Sequence, residues 1–88
     1  MKQLSEKHQK ELFSMLYDAA VNAGINVIED KINRKGGVCK LDEKLMVVYD
    51  KNSSLYERNR LIINSLKKLD PEKIFLPPKV REIIDSQK

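Results

Sequence analysis

The stretch GGVCKLDEKLMVVYDKNSSLYERNR, from Gly36 to Arg60, contains the two strands and the helix start that decide the fold of this chain. Val38–Leu41 and Leu45–Tyr49 are rich in β-forming residues, and a short polar connection between them predicts a β-hairpin. The connection, Asp42–Lys44, contains no glycine, so we expect a loop longer than a tight type I′ turn.

The same stretch predicts where the second long helix begins. Ser54 and Glu57 match a capping box, in which the serine side chain and the glutamate three residues later cap the first turn. The apolar spacing extends this helix to about Leu69. Arg58 is expected to point mostly to water. The buried stripe is expected to contain Leu55, Leu61 or Ile62, Leu66 and Leu69.

Before the hairpin, residues 5–23 predict a first helix, because their apolar residues recur at helical spacing. Ser5 is the expected N-cap, and Gly24 stands where a left-handed residue ends many helices. Residues 25–32 are rich in β-branched residues and predict a first strand. The buried stripe of the helix is expected to contain Leu12, Leu16, Ala19, Ala20 and Ala23.

After the long helix, prolines set the remaining structure. Asp70 and Pro71 end that helix and can open a short turn, and Pro78 begins a short last helix. The order is therefore α-β-β-β-α-α. We expect an α+β fold in which a three-stranded antiparallel sheet is covered on one face by helices. A chain of 88 residues predicts a single domain over residues 1–88.

The composition is that of a folded protein, with 41% hydrophobic and 34% charged residues. The only cysteine excludes a disulfide within the chain and the paired cysteines of a structural zinc site, and a lone thiol fits a reducing compartment. MKQLSEKHQKEL at the start has no apolar signal segment, and no apolar run is long enough to span a bilayer. We therefore expect a cytoplasmic protein without a membrane partner.

The net charge of +4 is uneven, with −2 on residues 1–30 and +6 on residues 31–88. A basic half of this kind can meet nucleic acid. Stacking platforms for single strands would have to come from Tyr17, Tyr49 and Tyr56, and the RNA-recognition motif is missing. Lysines on a solvated surface explain the charge more simply, so nucleic-acid binding ranks third among the functions considered.

Gly36-Gly37-Val38-Cys39 is the segment that could carry chemistry. Backbone amides beside glycines attract anions, and a positive potential of this kind activates a thiol. A cysteine nucleophile usually needs a histidine base, and the only histidine is His8 in the first helix. Thiol-dependent activity or redox sensing at Cys39 is therefore the alternative function, beside the interpretation of Cys39 as a packed strand residue. No metal-ligand spacing or phosphate-binding loop is present, so we expect no metal and no cofactor.

Leu45–Leu69 resembles the strand–helix core of the ImmA/IrrE-type minimal zincin metallopeptidases. The matching positions are Val47, Val48, Tyr49 and Asp50 in the strand, then Ser54, Arg58, Arg60 and Leu61 in the helix. The HExxH window of that family falls on Ser65–Leu69, where both histidines and the glutamate are absent. The resemblance therefore implies a related small fold without a hydrolytic site. The chain also resembles small bacterial proteins with a Gly-Gly-x-Cys strand and a Leu-Pro-Pro-x-x-Arg segment, here Leu76–Arg81, which implies no activity.

No cluster of side chains in the sequence predicts a reaction centre, so we expect a non-catalytic interaction module. Apolar residues on both sides of the second hairpin strand predict a sheet face or edge that meets a second copy of the chain or another protein. The residues expected to contribute to binding are Gly36, Gly37, Cys39, Leu41, Val47, Tyr49, Arg58 and Arg60.

Overall fold

The computed structural model describes residues 6–31, 36–69, 74 and 76–86. Its elements in chain order are α1 (Glu6–Asn22), β1 (Asn26–Asp30), β2 (Gly37–Leu41), β3 (Lys44–Asp50), α2 (Leu55–Lys67) and α3 (Pro78–Ser86). The α+β class and the order α-β-β-β-α-α are confirmed. The predicted N-cap at Ser5 and the predicted turn at Asp70 lie outside the described residues.

The sheet is mixed, so the expectation of three antiparallel strands is wrong for β1. The strand order is β1-β3-β2, in which β2 pairs antiparallel with β3 and β1 pairs parallel with β3. The chain reverses direction twice between β1 and β3, so these two strands run the same way. The longest strand, β3, takes the centre and hydrogen-bonds on both edges. The outer edges of β1 and β2 are left unpaired in the part of the chain that the structure describes.

The hairpin turn is tighter than the sequence predicts. Leu41 pairs directly with Lys44, which leaves only Asp42 and Glu43 in the turn. Their φ angles are positive, 50° for Asp42 and 67° for Glu43, as a two-residue type I′ turn requires. The buried residues of β3 specify the register of the hairpin, so the turn holds a strained glutamate where glycine is usual.

Replacing Glu43 with glycine should stabilise the hairpin, because glycine adopts a positive φ without strain. We expect the free energy of unfolding to rise by about 1 kcal/mol, measured by urea denaturation followed by circular dichroism. Lys44→Gly is the matched control, because a glycine inside the neighbouring strand should lower stability. If Glu43→Gly is as destabilising as Lys44→Gly, the turn carries no strain.

The helix ends follow local signals. Gly24 has a φ of 87°, and the N–H of Ile25 donates to the Ala20 carbonyl oxygen at 2.9 Å, as in a Schellman motif. At the start of α2, Ser54 Oγ accepts the N–H of Glu57 at 3.1 Å, which confirms the predicted cap. Both helix ends are therefore set by residues close to them in the chain.

Both long helices pack on one face of the sheet. The helix α1 contacts β1 and α2, whereas α2 contacts β2 and β3. The buried core contains Leu16, Ala19, Ala20, Ile25, Leu45, Val47, Ile62, Ile63, Leu66 and Val80. Val27 and Val38 flank Val47 across the strands and pack against this core. The intervening positions of the three strands lie on the opposite face, which no described helix covers.

Candidate functional site

The sheet face opposite the helices, here called the open face, carries apolar side chains in all three strands. Ile28 lies beside Val48, and Met46 lies beside Cys39. Leu41 extends the patch at the hairpin, with 60% of its surface exposed. Ile28, Met46 and Val48 are half-buried, and an apolar patch that continues over several strands is a candidate interaction site.

The open face contains only part of the surface predicted from the sequence. Cys39 and Leu41 lie on it, whereas Val47 and Tyr49 point to the opposite side, where 0% and 4% of their surfaces are exposed. The four residues therefore do not form one surface, and Val47 and Tyr49 are buried by the helices of the same chain.

Ile28, Met46 and Val48 occupy the open face, although the sequence did not mark them as binding residues. The alternation of side chains along β3 separates two sets of residues, and both sets contain apolar members. Periodicity alone therefore does not tell which set meets the helices. The burial pattern along β3, in which every second residue is buried, decides it.

The two ends of the open face carry opposite charges. Asp30 and Asp50 are direct neighbours across β1 and β3 at one end, and Lys44 begins β3 at the other. Like charges directly opposite each other destabilise a sheet. The two carboxylates accept the N–H groups of Lys31 and Asn52, at 2.7 and 3.0 Å, and form no ion pair with any residue that the structure describes. A cation from another molecule would therefore be stabilising at this end.

Cys39 is exposed on the open face and is separated from the only histidine. His8 belongs to α1, which packs on the other side of the sheet and makes no contact with β2. Cys39 and His8 therefore do not form the nucleophile–base pair that thiol catalysis usually needs. Gly37 lies beside Val48 on the same face as Cys39, and a side chain added there would meet open space.

Arg58 ties the start of α2 to the end of β3. Its Nη2 donates to the Lys51 carbonyl oxygen at 2.5 Å, and its Nε donates to Ser53 Oγ at 3.3 Å. Its guanidinium carbon lies 4.8 Å from the centre of the Tyr49 ring and 5.9 Å from that of Phe13. Only 18% of the Arg58 side chain is exposed, so the expectation that it points to water is wrong.

Glu29 completes this cluster at the carboxyl ends of β1 and β3. Its Oε1 lies 3.7 Å from Arg58 Nη1, and it is the cross-strand neighbour of Tyr49. Burial raises the pKa of the Tyr49 hydroxyl, the Glu29 carboxylate raises it further, and the Arg58 guanidinium opposes both. Tyr49 therefore stays protonated at neutral pH, and the cluster joins β1, β3 and α2.

Two depressions lie between β2 and α2 on the helix side of the sheet, and together they are here called the β2 groove. The depression near the hairpin is open to solvent and has a volume of about 320 Å³. Its lining contains Val38, Cys39, Lys40, Glu43, Leu45, Lys68 and Leu69. Near the start of β2 a second depression of about 230 Å³ is lined by Gly36, Glu57, Arg60, Leu61 and Asn64. Of the predicted binding residues, Gly36 and Arg60 are brought together in this second depression, and Cys39 lines the first.

Within residues 6–31, 36–69, 74 and 76–86, no group of three or more His, Cys, Asp or Glu side chains could hold a metal ion. No helix of the same ranges is long and apolar enough to cross a bilayer. Models of protein families, curated proteins and solved structures were compared with this chain, and none of them matches it. A function therefore has to be inferred from the open face and the β2 groove themselves.

Proposed function

We propose that this protein is a non-catalytic interaction module that forms a homodimer through its open face. The observation that carries the proposal is the apolar row of Ile28, Met46 and Val48 on a sheet face that no described helix covers. A partner on this face would remove apolar surface from water, which is stabilising. A reducing, cytoplasmic compartment belongs to the same proposal, because the exposed Cys39 then stays a free thiol.

The charges on the open face favour a second copy of the chain as the partner. Two open faces can be related by a twofold axis that crosses the strands at the middle of β3. This operation brings Lys44 of each copy over the Asp30–Asp50 pair of the other, and Met46 of each copy over Val48 of the other. One surface then supplies both charges, as a self-complementary interface requires.

The size of the open face sets the expected strength of the dimer. Three strands about 4.8 Å apart, with residues spaced by about 3.3 Å, give a flat face of roughly 14 by 23 Å. That is about 300 Å² per partner, against about 800 Å² in a standard stable interface. We therefore expect a reversible dimer with a dissociation constant on the order of 100 µM.

Val48→Lys should abolish the dimer, because it places an unpaired charge at the centre of the interface. We expect analytical ultracentrifugation from micromolar to millimolar concentration to give a monomer for Val48→Lys and a concentration-dependent dimer for the wild type. Tyr56→Lys is the matched control, since it makes the same change at an exposed position of α2 on the helix side. If the wild type stays monomeric throughout this range, the proposal is wrong.

Exchanging charges between the two ends of the open face distinguishes the proposed twofold dimer from nonspecific association. Lys44→Glu should weaken the dimer, because it places a carboxylate over the Asp30–Asp50 pair of the other copy. Adding Asp30→Lys should partly restore it, because the new glutamate then faces one lysine and one aspartate. Alkylation of Cys39 gives a second measurement, since the thiol should react more slowly as dimer forms. A dimer that Lys44→Glu weakens and the double variant does not partly restore would rule out the twofold arrangement.

A further inference from the structure

We propose that the β2 groove binds an extended, acidic segment of a partner protein, which adds a fourth strand to the sheet along the outer edge of β2. The groove lies on the helix side of the sheet and the open face lies on the other side. The two surfaces share only Cys39 at the edge of the sheet, and this inference does not rest on the homodimer.

The first argument is the unpaired edge of β2. Among the described residues, Gly37–Leu41 hydrogen-bonds only to β3, so the backbone N–H and C=O groups of its outer edge lack strand partners. A row of such groups is a template for another extended chain. Addition of a strand supplies main-chain hydrogen bonds for affinity, while side-chain pockets supply specificity. A segment of about five residues, roughly 17 Å long, matches this edge.

The second argument is the shape of the groove beside that edge. Val38 and Lys40 are on the helix side of β2 and form one wall. The other wall comes from one side of α2, where Leu61, Asn64 and Lys68 follow each other at intervals of three and four residues. Every second side chain of an added strand would point between these walls. A volume of about 320 Å³ at the hairpin end has the size of a small ligand pocket.

The third argument is the charge and polarity of the lining. Its apolar part comes from Val38 and Leu61, both half-buried, and suits an aliphatic side chain. Lys40 and Lys68 place two cations at the hairpin end, where Glu43 is also present, and Arg60 stands beside Glu57 at the other end. The three cations outnumber the two carboxylates, so the lining has an excess of positive charge. The lining therefore favours a segment with an apolar residue between two carboxylates.

Lys40 also restricts which strand can join the edge. A lysine on an edge strand discourages pairing with another basic strand, including β2 of a second copy. The same lysine attracts an acidic segment, so it selects partners by repulsion as well as by attraction. The outer edge of β2 can therefore pair with an acidic strand but disfavours a basic one.

The test uses a fluorescein-labelled peptide of sequence TETVTET, whose alternate residues present glutamate, valine and glutamate to the groove. We expect fluorescence anisotropy to report saturable binding at a dissociation constant on the order of 100 µM that weakens as salt is added. The charge-reversed peptide TKTVTKT should not bind. A version of TETVTET with N-methylated amides on its paired edge should also fail, because it cannot form strand hydrogen bonds.

Variants of the protein locate the binding site. Lys40→Glu should weaken TETVTET binding at least about tenfold, since it replaces attraction by repulsion inside the groove. Lys79→Glu, at an exposed position of α3 outside the groove, makes the same charge change and should alter the affinity less than about twofold. Val48→Lys should bind the peptide as the wild type does, so failure of the dimer and failure of the groove are distinguishable.

Three results would overturn the inference. The first is absence of TETVTET binding at millimolar concentration, and the second is equal binding of the N-methylated peptide. The third is a similar loss of affinity in Lys40→Glu and Lys79→Glu, which would mean attraction to the net charge of the chain alone. If β1 of a second copy occupies the edge instead, the protein without peptide will form open-ended oligomers that Lys40→Glu dissolves and Val48→Lys does not.

Discussion

Gly36→Ala is expected to lower the free energy of unfolding by about 3 kcal/mol, because the new methyl group collides with β3. A Cβ at Gly36 would lie 1.9 Å from the Val48 carbonyl oxygen and 2.7 Å from the Tyr49 Cα. Both contacts are with backbone of the central strand, so no side-chain rotation relieves them. The strands would have to separate at the start of β2. In a domain whose total stability is roughly 5–10 kcal/mol, this is a large fraction.

Gly37→Ala provides the matched control one position along the chain. A Cβ added at Gly37 would have no atom within 4 Å, so we expect the free energy of unfolding to change by less than about 0.5 kcal/mol. Thermal and urea unfolding followed by circular dichroism would measure both variants, and Gly36→Ala should melt about 15 °C below the wild type. Equal stability of the two variants would contradict the close approach of the chain at Gly36 to β3.

Arg58→Ala is expected to lower the free energy of unfolding by about 2–3 kcal/mol. The substitution removes two hydrogen bonds donated by a charged group and the contacts of the guanidinium with the Tyr49 and Phe13 rings. The ion pair with Glu29 adds little to this, since 47% of the Glu29 side chain is exposed and water screens the charges. Arg58→Lys should not restore stability, because one ammonium group does not reproduce the fork that reaches Lys51 and Ser53 together.

Arg60→Ala is the control for Arg58→Ala. Arg60 is exposed, and its guanidinium carbon lies 5.8 Å from the ring of Tyr56, which is itself exposed. We expect a change of less than about 0.5 kcal/mol in urea denaturation. A similar small effect for Arg58→Ala would mean that the cluster around Arg58 does not hold the turn between β3 and α2. Arg60→Ala should instead weaken peptide binding in the β2 groove.

Sequence signals predicted the local parts of this fold. The apolar spacing of α1 and the cap at Ser54 require only residues within a few positions of each other, and the structure confirms both. The hairpin was predicted from two β-forming runs, but its turn was not. Asp42 and Glu43 adopt positive φ angles because the pairing of β2 with β3 demands it, and their own preferences argue against it.

The candidate surfaces were only partly predictable. Cys39 and Leu41 were predicted as binding residues together with Val47 and Tyr49, and the sheet places the two pairs on opposite faces. A shift of one residue in register exchanges the faces of a strand, and both faces of β3 contain apolar residues. The β2 groove has no sequence signature, because its residues from β2 and from α2 become neighbours only when α2 lies across the sheet.

The amino-acid sequence by itself therefore determined which segments are helices and strands, where α1 ends at Gly24 and where α2 begins after Ser54. Only the tertiary structure decided that β1 runs parallel to β3 and which face of the sheet stays open. It also decided that the Arg58 side chain is largely buried by its contacts while the Arg60 side chain is exposed. The physical reason is the distance along the chain over which each interaction acts. Caps and periodicity act within one or two turns of the chain. Strand order and the buried face instead follow from minimising exposed apolar surface over the whole domain.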